Sequence, residues 1–254
     1  MILTIDIGNT TIGIGVFSGS SLCFCEKISS TEEFSEREYI EKLNEIFASH
    51  NLAVEQVKGS ILSSVVPRVT EVLKRALEIW TRKTVLLLSC KMELGFHMAV
   101  EYPEKVGCDR LADVAGAISE YPLPLITIDM GTATTINVVD KDRTFRGGII
   151  MPGVGTAHKA LLGKTAQLPS GDMDMPTHTI GANTQECITS GMVYGNACAI
   201  DGLIARINEE LVSTCTVIAT GGYAHTVIPH CRSAIVMDDC LLMKGLKVLY
   251  DINQ

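Results

Sequence analysis

Two short segments of the chain place a carboxylate two positions before a glycine, at the end of a run of β-prone residues. Residues 3–11 read LTIDIGNTT and residues 126–134 read ITIDMGTAT, so Asp6 and Asp129 hold matching positions 123 residues apart (129 − 6). Each segment predicts a strand, a tight turn at Asp-x-Gly and a second strand, which is a β-hairpin. A single Asp-Gly turn is common, but a repeat of the whole context indicates a duplicated domain.

The two predicted hairpins carry the residue types that bind a nucleotide. Glycine allows backbone N–H groups to approach phosphate oxygens, and carboxylates hold hydrated Mg²⁺. Asp6 and Asp129 are the candidate carboxylates for such an ion, and the sequence alone leaves their roles interchangeable. The neutral donors in these loops are Asn9, Thr10, Thr11 and Thr132. We expect the two loops to face each other across a cleft between the domains.

A second candidate site precedes a predicted helix over residues 107–121, where residues 107–110 read GCDR. A carboxylate such as Asp109, at the start of this helix, can accept the proton of a bound hydroxyl group. Arg110 offers a planar fork that suits a carboxylate. The alternatives are an ordinary helix-start carboxylate that interacts with the helix dipole and a surface ion pair.

Composition and charge exclude several classes of function. The 254 residues are 46% hydrophobic and 20% charged, which excludes a disordered chain and gives enough length for one large or two small domains. The net charge of −8 argues against non-specific nucleic-acid binding and a polybasic membrane anchor. Nine cysteines without a CxxC pair, no leader-like start and no long apolar run predict reduced thiols in a cytoplasmic protein.

The order of the predicted elements indicates a mixed α/β fold in which each half has a central sheet flanked by helices. We place the domain boundary so that residues 1–118 form the first domain and residues 119–254 the second. The second half is predicted to contain a glycine-rich loop at 147–155, a loop at 169–178 and a long helix at about 183–211. A strand at 217–220 ends in Gly221 and Gly222, either as a simple turn or as a backbone approach for an adenine ring. A helix at 241–250 closes the chain.

Taken together, these motifs resemble the type III pantothenate kinases, in family order and over most of the chain. The matching segments are DIGNTTIG at 6–13, PEKVGCDR at 103–110, IDMGT at 128–132, GGIIMPG at 147–153, TIGANT at 179–184 and ATGG at 219–222. The resemblance implies duplicated actin-like, ribonuclease H-like domains with a nucleotide cleft between them. It also implies a cytoplasmic homodimer that phosphorylates pantothenate with ATP and Mg²⁺, the first step of coenzyme A synthesis.

The resemblance also implies roles for individual residues. The ATP phosphate loop corresponds to Asp6, Ile7, Gly8, Asn9, Thr10, Thr11, Ile12 and Gly13, and a further nucleotide contact to Thr132. The pantothenate site corresponds to Gly107, Cys108, Asp109, Arg110 and Thr184, with Asp109 as the proton acceptor. Asp129 corresponds to the ligand of a monovalent cation, K⁺ or NH₄⁺, and Asp6 is then the candidate to hold Mg²⁺ through water. The pantothenate site is implied to lie at the dimer interface.

One position departs from the family pattern. Many relatives carry a tyrosine or similar polar residue three positions before Pro103, where this chain has Val100, and the nearest tyrosine is Tyr102. Two other functions stay open at this stage: a kinase for another small hydroxy acid on the same fold, and a non-catalytic nucleotide-binding regulator or accessory protein. An intact Asp109 argues against the regulator, because a pure binding protein has no need of a base there.

Overall fold

In a computed structural model, which describes residues 1–32, 34–163 and 175–254, the chain forms two compact α/β units. Residues 1–120 and 240–254 form the first unit, and residues 121–239 form the second. Numbered along the chain, the elements of the first unit are β1 (Ile2–Ile7), β2 (Thr11–Ser18), β3 (Ser21–Ser29), α1 (Glu36–Ser49), β4 (Gly59–Ser64), α2 (Pro67–Thr81), β5 (Val85–Leu87), β6 (His97–Met98), α3 (Cys108–Glu120) and α7 (Leu241–Ile252). Those of the second unit are β7 (Leu125–Met130), β8 (Ala133–Val139), β9 (Thr144–Pro152), α4 (Val154–Gly163), α5 (Thr184–Leu211), β10 (Thr216–Thr220), α6 (Ala224–Val227) and β11 (Val236–Met237). No helix among the described residues has the length and apolarity needed to cross a membrane.

The first sheet has the strand order β3-β2-β1-β4-β5, with β1 antiparallel to β2 and parallel to β4. The side chains of the central strand β1 point alternately to the two faces of the sheet, and both faces are packed. Leu3, Ile5 and Ile7 join the buried cluster that contains the apolar face of α1 and α2. On the opposite face the Thr4 hydroxyl lies 3.4 Å from the Met243 sulfur of α7. Asp6 therefore extends from the face covered by α3 and α7, at the carboxyl end of the strand.

The closing helix α7 packs tightly on α3 within the first unit. A Cβ built on Gly245 would lie 1.8 Å from the Ala112 carbonyl oxygen, and one on Gly116 would lie 2.5 Å from the Leu241 oxygen. Only glycine permits so close an approach of two helix backbones. The sequence assigned residues 240–254 to the second domain, whereas the structure places them with the first. The apolar face of α7 matches the α3 side of the first sheet, a pairing that local patterns do not encode.

Both predicted hairpins are present, but their turns differ in length. Asp6 on β1 pairs with Gly13 on β2, seven positions later, whereas Asp129 on β7 pairs with Thr135 on β8, six positions later. The second turn is therefore one residue shorter. As a result, Thr11 and Thr134, which match in the sequence repeat, do not occupy equivalent places, because the register shifts by one residue after the turn.

The second unit differs from the prediction in its glycine-rich stretch. Within this unit the strands follow the order β11-β10-β7-β8-β9, and the stretch predicted as a loop at 147–155 instead forms the end of β9 and the start of α4. A Cβ on Gly148 would lie 1.8 Å from the Ile136 carbonyl oxygen, so glycine there allows two strand backbones to approach rather than a loop to bend. The predicted loop at 169–178 lies partly outside the described residues. The long helix is confirmed as α5.

Candidate active site

The turn after β1 presents backbone and hydroxyl groups beside Asp6. The Gly8 N–H donates to the Thr11 carbonyl oxygen at 2.9 Å, which closes the turn and leaves Asn9, Thr10 and Thr11 exposed. Asp6 is half-buried at the edge of this turn. The other members of the predicted phosphate loop are Ile7, Ile12 and Gly13, and all three are buried. The two isoleucines belong to the core behind the loop, so only their backbone groups can take part in ligand binding.

The predicted substrate loop leads directly into α3. The Asp109 carboxylate folds back so that its Oδ1 accepts the Arg110 N–H at 2.8 Å. A Cβ on Gly107 would lie 2.3 Å from that same oxygen, so glycine at this position leaves the space that the carboxylate occupies. The Cys108 thiol donates to the Leu88 carbonyl oxygen at 3.2 Å and anchors the loop to the end of β5. The start of α3 thus holds Asp109 half-buried and oriented.

The charges of Asp6 and Asp109 both influence the thiol of Cys108, in the first turn of α3. Burial, the largest cause, together with the neighbouring groups Asp109, Cys90 and Asp6, raises the pKa of the Cys108 thiol to about 11. Cys108 is therefore a neutral packing residue rather than a nucleophile. Two carboxylates that are 103 positions apart in the sequence (109 − 6) thus both raise the pKa of one thiol.

Arg110 lies in a partly buried, acidic environment. Burial lowers the pKa of the Arg110 guanidinium, while the charges of Asp109 and Asp113 oppose that shift. An arginine nevertheless stays protonated in a protein, so the site keeps a fixed positive charge. Asp113 is only 1% exposed, and sequence reasoning missed it. A carboxylate within the apolar stripe of α3, four positions after Asp109, was the signal that could have identified it.

In the second unit, the backbone after β10 encloses Asp129. Gly221 adopts a φ of +95°, and a Cβ there would lie 2.4 Å from Asp129 Oδ1 and 2.5 Å from the Met130 nitrogen. The Tyr223 N–H donates to the Met130 carbonyl oxygen at 3.0 Å and fixes this approach. The glycine pair after β10, for which the sequence left a turn or an adenine contact open, therefore contains one glycine that packs against the Asp129 carboxylate.

The loop that contains Thr132 is fixed by the start of α4. The Thr132 carbonyl oxygen accepts the Thr156 hydroxyl at 2.7 Å and the Gly153 N–H at 3.1 Å. A Cβ on Gly153 would lie 2.2 Å from the Gly131 carbonyl oxygen, so the family-like glycine is required for this contact. Through these backbone contacts, the exposed Thr132 side chain is presented from a rigid turn.

The remaining predicted substrate contacts occupy exposed positions. Thr184 is the exposed first residue of α5, and Asn183 before it accepts the Glu186 N–H at 3.0 Å as the helix cap. Tyr102 is 49% exposed, with the Lys105 ammonium 4.1 Å from the centre of its ring. Val100 is half-buried. The Tyr102 ring is thus exposed to solvent. At position 100, where many relatives have a tyrosine or similar polar residue, this chain has no polar side chain.

The donors fit Mg²⁺ held through water better than a metal enclosed by protein ligands. Over residues 1–32, 34–163 and 175–254, no group of three His, Cys, Asp or Glu side chains is placed to hold a metal. Mg²⁺ commonly keeps several waters and binds through one or two carboxylates together with substrate phosphates. The half-buried Asp6 carboxylate, beside exposed hydroxyl and amide groups of its turn, meets that requirement.

Two hairpin-led mixed sheets, each flanked by helices, define the class as an α/β protein of the actin-like ATPase fold. Solved structures with a similar fold include one described as a Baf family transcriptional activator from Campylobacter jejuni, with a TM-score of 0.61, 16% identity and coverage of 98% of this chain and 97% of that one. Another, from Sinorhizobium meliloti, is described as a 2-dehydro-3-deoxygalactonokinase; it has a TM-score of 0.54, 11% identity and coverage of 98% and 96%.

Sequence similarity identifies the family within this class. The family model of the type III pantothenate kinases matches residues 2–206. A protein named type III pantothenate kinase from Brevibacillus brevis is 35% identical over 254 residues, and one from an Exiguobacterium species is 37% identical, each with full coverage of both chains. The chain therefore belongs to the type III pantothenate kinase family.

Proposed function

We propose that this chain transfers the terminal phosphoryl group of ATP to the primary hydroxyl of pantothenate. The product is 4'-phosphopantothenate, and the reaction is the first step of coenzyme A synthesis, which places the protein in the cytoplasm. Family membership over full length supports the activity. The structural observation that carries the proposal is that Asp6 extends from the face of the first sheet covered by α3, the helix whose first turn holds the Asp109 carboxylate. This arrangement sets a metal-binding carboxylate near a base, as phosphoryl transfer requires.

Asp109 is the proposed base, and Arg110 orients the acceptor. The Asp109 carboxylate is fixed by the Arg110 N–H, so it needs little rearrangement to accept the proton of the attacking hydroxyl. The Arg110 guanidinium, kept charged beside Asp109 and Asp113, offers a fork for the pantothenate carboxylate. The backbone of Gly107 and Cys108 forms the remainder of this pocket wall.

The turn at residues 8–11 is proposed to hold the ATP phosphates. Backbone N–H groups and the exposed hydroxyls of Thr10 and Thr11 donate to phosphate oxygens, and Asn9 adds an amide donor. Asp6 binds the waters of the Mg²⁺ that accompanies ATP, and that ion neutralises charge on the transferring phosphoryl group. Thr132 supplies a further nucleotide contact.

We assign Asp129 to a monovalent cation, K⁺ or NH₄⁺. Its carboxylate lies against the backbone at Gly221, where a built Cβ would be 2.4 Å from Oδ1, so the position of this oxygen is fixed. The resemblance to the family assigns this position to a monovalent cation, and a strongly hydrated Na⁺ fits a K⁺-sized site poorly. The two carboxylates that the sequence left interchangeable thereby take different ions.

We further propose a homodimer in which Thr184 at the start of α5 contacts pantothenate. The first turn of a helix has free N–H groups, so it binds a polar substrate well. The exposed stripe of α5 contains small residues at helical spacing, Gly191, Gly195, Cys198 and Gly202. Such a stripe permits close packing of a second helix.

A kinase for another small hydroxy acid and a non-catalytic regulator are the competing functions. A coupled assay of ADP release separates all three. We expect release that requires pantothenate, with little from other pantoyl compounds and none without an acceptor. If another hydroxy acid gives faster ADP release than pantothenate, that acid is the substrate instead. If no acceptor releases ADP although ATP binds, the protein is a regulator and the kinase proposal is refuted.

A further inference from the structure

Ser63 on β4 has an unsatisfied hydroxyl directly beside Asp6. Strands β1 and β4 are parallel neighbours, and in their register Asp6 pairs with Ser63. Residues paired in this way project from the same face of a sheet, with their backbones about 5 Å apart. Ser63 is fully buried, and its Oγ has no hydrogen-bond partner among residues 1–32, 34–163 and 175–254. Among the described residues, the Ser63 hydroxyl therefore has no hydrogen-bond partner and belongs to the residue next to the proposed Mg²⁺-binding Asp6.

This face of the sheet is the one that carries the candidate site. Ile61, two positions before Ser63 on β4, belongs to the buried cluster that includes Leu111 of α3 and Met243 of α7. Ser63 therefore faces α3, whose first turn contains Cys108 and Asp109. Because Asp6 also acts on the Cys108 thiol, the Ser63 hydroxyl lies in the same neighbourhood as both carboxylates.

An unsatisfied buried hydroxyl is unusual because its desolvation is not offset by a hydrogen bond. Alanine at this position would give the first sheet the same shape without that cost. A rotation about the Ser63 side-chain bond moves the hydroxyl among three staggered positions, at a small cost in energy. A serine beside a metal-binding carboxylate gains its partner when the carboxylate is held in one orientation by the bound metal.

We propose that Ser63 is a positioning residue for Asp6. In the nucleotide-bound enzyme its hydroxyl donates a hydrogen bond to one Asp6 carboxylate oxygen and leaves the other oxygen directed at the waters of Mg²⁺. This inference rests on the proposed function, specifically on the assignment of Asp6 to Mg²⁺. Groups that hold a metal ligand in place contribute strongly to metal affinity without touching the metal.

Ser60 provides a matched control on the same strand. It is also fully buried, and its Oγ also lacks a partner in the described part of the chain. In the β1–β4 register, however, it pairs with Leu3, whose side chain lies in the cluster formed with α1 and α2. Ser60→Ala and Ser63→Ala thus remove the same group from the same strand at equal burial, but only Ser63 adjoins Asp6.

The experiment compares Ser63→Ala, Ser60→Ala and Asp6→Asn with the wild-type protein. Mn²⁺ binding is measured by electron paramagnetic resonance with a non-hydrolysable ATP analogue present, and the Mg²⁺ dependence of turnover and the thermal unfolding midpoint are measured in parallel. For Ser63→Ala we expect Mn²⁺ affinity and the Mg²⁺ requirement to weaken about 10-fold. Turnover at saturating Mg²⁺ should remain close to wild type. For Ser60→Ala we expect no change in either metal measurement.

The unfolding midpoint separates this role from a structural one. Removal of an unsatisfied buried hydroxyl leaves stability unchanged or raises it, so both serine variants should fold and melt at or above the wild-type temperature. If Ser63→Ala binds Mn²⁺ as tightly as Ser60→Ala does while Asp6→Asn binds it weakly, the role of Ser63 is refuted and the metal site stands. If Asp6→Asn also binds Mn²⁺ normally, the assignment of Asp6 itself is refuted.

Discussion

Gly221 lies so close to Asp129 that any side chain at position 221 would occupy the space of the carboxylate. The distance from a built Cβ to Asp129 Oδ1 is 2.4 Å, and the φ of +95° is a conformation that other residues rarely adopt. The next residue, Gly222, has no such neighbour within 4 Å. One glycine of the pair is thus required by geometry, and the other is not. This difference gives the proposed cation site a structural test.

The first prediction concerns the cation itself. Turnover should rise strongly when K⁺ or NH₄⁺ replaces Na⁺ at matched ionic strength, because the site around Asp129 is proposed to fit the larger ions. Asp129→Asn removes the charge and should abolish most of that stimulation. The check is steady-state ADP release in the three salts. Equal rates of the wild-type protein in Na⁺ and K⁺ would disprove the cation site.

The second prediction uses the two glycines. Gly221→Ala should lower the K⁺ stimulation at least about 10-fold and destabilise the protein by about 1–3 kcal/mol, because alanine strains the backbone and collides with Asp129 and Met130. Gly222→Ala should behave like wild type in both respects. Urea unfolding and K⁺ titration of turnover measure the two effects. A Gly221→Ala variant with normal K⁺ stimulation would show that the enclosure of Asp129 does not serve cation binding.

Local sequence patterns were sufficient for the hairpins, most helices and the family. The Asp-x-Gly segments and the helix predicted over residues 107–121 are local signals, and the structure confirms both hairpins and α3. The long-range pairing of α7 with α3 was not visible, because it depends on Gly116 and Gly245, which are distant in the sequence and meet only after folding. The helix α4 was missed because glycines at 153 and 155 were taken as loop signals.

Proximity within the candidate site was also beyond local patterns. For Gly221 the sequence left a turn or an adenine contact open, because no local pattern connects it with Asp129, 92 positions earlier (221 − 129). The sequence did not single out Ser63, because the pairing of β1 with β4 sets which residue lies beside Asp6. Residue roles carried by contiguous motifs could be predicted, whereas roles that arise from strand register required the structure.

The third prediction concerns the proposed base. Asp109→Asn should retain the fold and the binding of a non-hydrolysable ATP analogue but lower kcat about 10²-fold or more, since an amide cannot readily accept the proton. The measurement is kcat and KM for pantothenate in the coupled assay. Glu104→Gln, an exposed acid on the preceding turn, is the control and should match wild type. A near-normal kcat for Asp109→Asn would leave Asp109 as a binding residue only.

The fourth prediction concerns acid stability. Burial alone would raise the pKa of Asp201 on α5, but hydrogen bonds from the Arg232 and Ser233 N–H groups, at 2.8 and 2.9 Å, hold it below its ordinary value of 3.8. The stabilisation from this carboxylate is therefore complete above that ordinary value and is lost as the pH falls through the lower folded-state pKa. Asp201→Asn should be less stable than wild type at neutral pH, and the difference should shrink on acidification.

Urea unfolding at several pH values between neutral and pH 3 measures this fourth effect, with Asp142→Asn as an exposed control. The control should show no comparable change in the free energy of unfolding. A constant difference between wild type and Asp201→Asn down to the lowest pH would mean that the Asp201 charge does not contribute. Because the two N–H donors follow the short helical turn Ile228–His230, this region should be the first to lose protection from hydrogen exchange in the variant.

The last prediction joins the oligomer to the site. Ala197, Ile200 and Ile204 on α5 are buried within the second unit. We therefore expect the proposed dimer to use the opposite, exposed stripe of α5, where an added charge should prevent close helix packing. For Cys198→Glu we expect a folded monomer with a raised KM for pantothenate, because Thr184 starts the same helix and the proposed pocket closes only across the interface.

Mass by light scattering, thermal unfolding and activity are measured on the same samples of Cys198→Glu. Glu210→Lys changes an exposed charge about a quarter-turn away from the stripe and should remain dimeric and active. Because Cys198 is exposed in the folded unit, the substitution costs little stability unless a partner covers it. A folded Cys198→Glu monomer that phosphorylates pantothenate with wild-type kcat and KM would refute the shared site. A dimer that survives the substitution would instead refute this face of α5 as the interface.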